Sequence, residues 1–98
     1  MNSVTTIIER TLGRAENELT GVRLKNITPD QNFFGGSGAA LDSLNLVSFI
    51  FILEDEILSV TGKKLKVSTN DILDKQEAPF RNLRSMEAWL TRKLGELK

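Results

Sequence analysis

The sequence predicts an all-α fold, a small bundle of three longer helices plus one short helix, with a long loop between the first and second helices. Three observations carry that expectation. Apolar residues recur at three- and four-residue steps in three separate stretches, which sets each group on one face of a helix. Capping and stop residues bracket those stretches. Glycines and a proline punctuate the residues between the first two of them. Three amphipathic helices can bury their stripes against one another, and 98 residues suit one domain spanning 1–98.

The first helix is expected from Ser3 to about Leu19. Val4, Ile7, Ile8, Leu12, Ala15 and Leu19 make its stripe, and Ser3 is placed to cap it. Gly13 weakens the interior by about 1 kcal/mol relative to alanine, which the strong periodicity outweighs. Residues 20 to 41 form the long connection. A structureless loop of that length is unusual in a compact domain, so it is expected to be functional or pinned to the core. Val22, Leu24, Ile27, Phe33, Phe34 and Leu41 are the candidate pins, and Pro29 to Asn32 suit a short helical turn. The second helix is expected from Asp42 to about Val60. Asp42 is a strong N-cap, and Leu44, Val47, Ile50, Leu53 and Ile57 form one stripe with Leu46 and Val60 beside it. Gly62 is a natural stop, and Lys63 and Lys64 sit near the negative end of the helix dipole. Residues 63 to 67 read as extended, Ser68 to Asp74 as one or two helical turns, and Lys75 to Arg81 as a loop around Pro79. Asn82 caps a last helix whose inner stripe is Leu83, Met86, Leu90 and Leu94, flanked by Trp89.

Composition narrows the function classes. The chain has neither cysteine nor histidine. Disulfides, thiolate metal ligands, a cysteine nucleophile and a Ser-His-Asp triad are therefore excluded, and an enzyme is not expected. No metal site is expected. Lysine plus arginine is 13 and aspartate plus glutamate is 13, a balance that argues against nucleic acid as a partner. No apolar run approaches the length of a membrane span, and the N-terminal residues lack the pattern of a secretory signal. A soluble, cytoplasmic protein is expected, freestanding by its length and ends, and monomeric.

Chemistry concentrates where the glycine-rich stretch Gly35-Gly36-Ser37-Gly38-Ala39-Ala40 runs into Leu41-Asp42-Ser43-Leu44. Asp42 fixes the start of a helix, so Ser43 is held in its first turn, where a side chain points toward solvent. Unpaired N–H groups and the positive end of the dipole favour a phosphate there. No activating base accompanies Ser43, so a phosphodiester attachment suits it better than nucleophilic catalysis. The glycines do not make a nucleotide-binding loop, because no Lys-Ser/Thr pair follows them and no strand precedes them.

With Phe33-Phe34 upstream, Leu41-Asp42-Ser43-Leu44 and then NLVSFIFILEDEI, the chain resembles the acyl carrier proteins over essentially its whole length. The resemblance implies that Ser43 takes a 4′-phosphopantetheine arm from coenzyme A through a phosphopantetheinyl transferase. The arm's thiol would then hold an acyl group as a thioester for acyl-loading and acyl-transferring enzymes, and the inner face of the bundle would shelter the acyl chain. Asp42 would support the transferase and Leu44 would anchor partner enzymes. Val47, Phe51, Glu54 and Asp55 extend the expected partner-binding surface along the second helix.

Members of that family serving bulk fatty-acid synthesis are usually strongly acidic, with carboxylates soon after the motif. This chain is neutral and has Asn45 and Ser48 at those places. A dedicated carrier in a polyketide or specialised lipid pathway is the expectation. An aminoacyl or peptidyl carrier, or an unmodified helical adaptor binding through its second helix, are the alternatives. The bland readings are a core role for Phe51, a solvated face for Glu54, Asp55 and Glu56, loop anchoring for Phe33 and Phe34, and packing for Trp89.

Overall fold

The computed structural model describes residues 3–19, 24, 27–33, 41–73 and 78–96, and at Ser43, Thr69 and Leu73 it describes the backbone alone. Among the described residues four helices follow one another: α1 (Ser3–Glu18), α2 (Ser43–Thr61), α3 (Thr69–Leu73) and α4 (Leu83–Glu96). The fold is all-α, with three longer helices and one short one, as the periodicity predicts. α1 packs against both α2 and α4. Among the described residues, no helix is long and apolar enough to cross a membrane.

Local chemistry sets the helix ends. Ser3 is the first helical residue of α1 and not its cap, so the cap position falls outside the described residues. α2 starts after Asp42 and stops at Gly62, whose φ of 72° is left-handed and whose N–H donates to the Leu58 carbonyl at 2.8 Å. α3 opens with a reciprocal pair: Ser68 Oγ accepts from the Asp71 N–H at 3.1 Å, and Asp71 Oδ2 accepts from the Ser68 N–H at 3.0 Å. Burial works to raise the Asp71 carboxyl, but the Ser68 N–H and hydroxyl and the Lys93 ammonium outweigh it and hold it below the ordinary range. The Lys93–Asp71 ion pair, 3.3 Å long, ties α3 to α4. Asn82 caps α4 as predicted, its Oδ1 accepting from the Ser85 N–H at 2.8 Å while Ser85 Oγ accepts from the Asn82 N–H at 3.2 Å.

The core joins Val4, Ile7, Ile8 and Ala15 of α1 to Leu46, Phe49, Ile50, Leu53 and Ile57 of α2 and Met86, Trp89 and Leu90 of α4. Two details differ from the sequence reading. Trp89 lies within the core, 6.0 Å from the Phe80 ring, and does not merely flank it. On α2 the buried face is rotated off the single stripe: Ile50, Leu53 and Ile57 of that stripe are buried, Leu44 and Val47 face out, where the resemblance puts partner contacts, and Phe49 takes the centre.

The long connection is pinned. Leu24, Phe33 and Leu41 are buried and Ile27 partly so, whereas Val22, Phe34 and the stretch containing Gly35, Gly36 and Gly38 lie outside the described residues. Glu16 Oε1 accepts from the Leu24 N–H at 2.9 Å, and Pro29 and Asp30 form a turn closed from Gln31 N–H to the Thr28 carbonyl. Arg84 holds that turn to α4, its Nε 2.9 Å from Asp30 Oδ1. Phe33 sits edge-on to Phe49 with centroids 4.8 Å apart. Each such side chain contributes roughly 1.5–3 kcal/mol by burial, and the ring pair about 0.5–1.5 kcal/mol more.

Candidate functional site

The Phe33 pin also positions the start of α2. Its N–H donates to the Arg81 carbonyl at 2.7 Å, and its carbonyl accepts from the Leu41 N–H at 2.9 Å. Leu41 is thereby buried immediately ahead of the cap. Asp42 follows with extended backbone, and its Oδ1 accepts from the Asn45 N–H at 2.7 Å. Its carbonyl accepts from the Leu46 N–H at 2.9 Å, the first intrahelical bond. Ser43 is the first helical residue, held between an anchored leucine and a closed cap. The Ser43 side chain, whose direction the sequence reading puts toward solvent, lies outside the described residues. Its neighbours Asp42 and Leu44 are exposed, Leu44 to 80%. With Asn45 N–H used by the cap, the amides of Ser43 and Leu44 still have no acceptor within the helix.

An apolar stripe continues from Leu44 along the outer face of α2. Val47 is 54% exposed, Phe51 65% and Leu58 45%. Phe51 is therefore not a core residue. It lies between two recesses. One, of about 500 Å³, is lined by Arg14, Glu18, Leu19, Ser48, Phe51, Ile52 and Asp55. The other, about 240 Å³ and largely apolar, is formed by Val47, Ile50, Phe51 and Glu54 of α2 against Lys66, Val67 and Ile72. Sequence reasoning missed Leu58 and the far wall of this groove.

The three carboxylates at the middle of α2 do not form the solvated face expected of them. Glu56 is buried, 3% exposed, with Oε1 2.6 Å from Arg10 Nε and Oε2 2.9 Å from Arg14. The Arg10 contact is an ion pair without the alignment of a hydrogen bond. Its position was readable from Phe49 and Leu53, seven and three residues earlier on the same face. Glu54 Oε2 accepts from the Val67 N–H at 2.7 Å, which fastens the segment after α2 to its flank. Asp55 pairs with Arg14 at 2.6 Å while remaining exposed. The hydrogen bonds that Arg14 donates to Glu18, Glu56 and Asp55 all favour its charged guanidinium and raise its pKa further. Glu54 and Asp55 thus have intramolecular partners at the edge of the surface on which the sequence reading placed them.

No protein-family model matches the chain, and neither a curated protein nor a solved structure matches it. Among the described residues, no group of three or more histidines, cysteines, aspartates or glutamates is placed to hold a metal ion.

Proposed function

We propose that this protein is an acyl carrier, with 4′-phosphopantetheine from coenzyme A joined to Ser43. The observation that carries the reading is the start of α2: Leu41 buried, Asp42 closing the cap, Ser43 opening the helix and Leu44 exposed beside it. The residues fit the group. Two backbone amides without a helical acceptor and the positive helix end favour a phosphodiester on Ser43. In loading, the Ser43 oxygen forms the new phosphodiester bond and adenosine 3′,5′-bisphosphate leaves coenzyme A. When attached, the arm supplies the thiol that carries the acyl cargo, which a chain without cysteine cannot supply.

The chain's own part is to hold Ser43 at a fixed helix end and to present Leu44, Val47 and Phe51 to partner enzymes. Neutral Asn45 and Ser48 beside the motif favour a dedicated carrier in a specialised lipid or polyketide pathway over a bulk fatty-acid one. The reading also has it monomeric and cytoplasmic, serving the transferase and then several acyl-handling enzymes in turn. The exposed stripe would equally serve an unmodified adaptor, and the modification of Ser43 separates the two.

The test is incubation with coenzyme A, magnesium and a broad-specificity phosphopantetheinyl transferase, read by intact mass. The wild type gains one arm and Ser43→Ala gains none while unfolding as cooperatively as the wild type. A folded wild type that no transferase loads overturns the carrier reading in favour of the adaptor.

A further inference from the structure

We infer, resting on the carrier reading, that the acyl cargo is an oxygenated chain whose carbonyl or hydroxyl oxygen accepts the Trp89 indole N–H inside the bundle. The chain holds a buried donor with nothing to donate to. Trp89 is 1% exposed, and its Nε1 has no hydrogen-bond partner among the described residues. Phe80 beside it, with ring centroids 6.0 Å apart and planes tilted by 50°, offers only carbon. The other buried polar atom without a hydrogen bond, Glu56 Oε1, has the charge of Arg10 next to it. The indole has no such compensation. A buried tryptophan N–H ordinarily finds an acceptor, because leaving it dry forfeits its bond to water. Phenylalanine would fill a core position without that cost. A buried water needs two or more polar partners, and the core cluster that holds Trp89 is apolar.

The face of α4 that carries Trp89 is turned toward α3. Lys93 lies four residues after Trp89 and so shares its face, and Lys93 pairs with Asp71 of α3 at 3.3 Å. Ile72, the next residue of α3, lines the largely apolar recess of about 240 Å³ together with Ile50 and Val67, both buried. A chain entering between α2 and α3 lays its carbons on Ile50 and Val67 and runs toward the side of α4 that holds the indole. A saturated chain there matches the apolar walls and leaves the donor dry. A chain bearing an oxygen matches the walls and satisfies the donor. A site with a buried donor discriminates against the analogue that lacks the acceptor.

The test loads Ser43 from coenzyme A carrying octanoyl or oxo-octanoyl chains, with the oxo carbon at successive positions. The Trp89 indole N–H resonance of the isotope-labelled full chain is followed, and Trp89 is the one tryptophan. At least one oxo chain should move the indole proton downfield as the hydrogen bond forms, while octanoyl leaves it near its unloaded position. The corresponding acyl pantetheines, free in solution, are also titrated into the unmodified chain and into Trp89→Phe. The affinity of the best oxo chain relative to octanoyl should fall about fivefold in Trp89→Phe. If that variant does not fold, the wild-type resonance decides. No downfield move with any oxo chain overturns the proposal, as does an equal move with octanoyl. So does an indole already hydrogen-bonded in the unloaded protein, or an unchanged affinity ratio in a folded Trp89→Phe. Intact mass reads loading separately. A loaded protein with a silent indole refutes the cargo class and leaves the carrier reading standing. A protein that does not load loses the carrier reading, and the free pantetheines then decide whether its core takes an oxygenated chain.

Discussion

Asp42 caps α2, and a pair of substitutions can separate that role from the loading role proposed for it. Its Oδ1 satisfies the Asn45 N–H and so sets where α2 begins. Asp42→Ala should lower stability by about 0.5–2 kcal/mol, seen as a shifted denaturant midpoint. Asparagine caps nearly as well, so Asp42→Asn should keep that midpoint. If the carboxylate also supports loading, the asparagine variant loads more slowly at unchanged stability; equal loading rates would leave Asp42 a cap alone. Glu56 gives a second contrast. Arg10 and Arg14 have side chains 54% and 36% exposed, whereas the Glu56 side chain is only 4% exposed. Glu56→Ala leaves two arginines that water can reach and should cost about 1–3 kcal/mol. Removing both arginines strands a buried carboxylate and should cost more, about 3–5 kcal/mol. Chemical denaturation of the three proteins checks the order, and a costlier Glu56→Ala would refute it.

At the scale of the helices, one substitution should act in opposite directions. A Cβ at either Gly13 or Gly62 meets nothing within 4 Å, so packing is silent at both and backbone conformation decides. Gly13 lies in the exposed interior of α1, where alanine should add roughly 1 kcal/mol. Gly62 ends α2 at φ 72°, where alanine should subtract roughly 1–2 kcal/mol. Thermal unfolding of both variants reads the signs. The same backbone rules explain what was legible in the sequence. Caps at Asp42 and Asn82 and the stop at Gly62 are local chemistry, and the helices end where those residues fall. The rotation of α2 was not legible. Leu44, Leu46, Val47, Phe49, Ile50, Phe51, Ile52 and Leu53 clothe it on nearly every side, so periodicity gives no unique inner face. Burying Phe49 against Phe33 decides it, and that contact joins segments distant in sequence.

Across the whole molecule, the candidate site is part local and part assembled. Ser43 and its cap were legible because they occupy consecutive positions. The groove beside Phe51 was not, because Lys66, Val67 and Ile72 reach it only once the Glu54–Val67 bond folds that segment back on α2. The zero net charge likewise conceals an arrangement. Glu56 and Asp55 of α2 pair with α1 arginines, and Lys66 lies beside Val47 and Phe51 of the apolar row. Leu24, Phe33 and Leu41 pin the described parts of the preceding connection to the core, so the proposed attachment point opens a helix whose start is anchored. The most direct measurement of the central claim is fragmentation mass spectrometry of the protein after transferase and coenzyme A treatment. The account predicts a single phosphopantetheine on Ser43; an adduct on Ser37 or Ser48, or none on a protein shown to be folded, would contradict it.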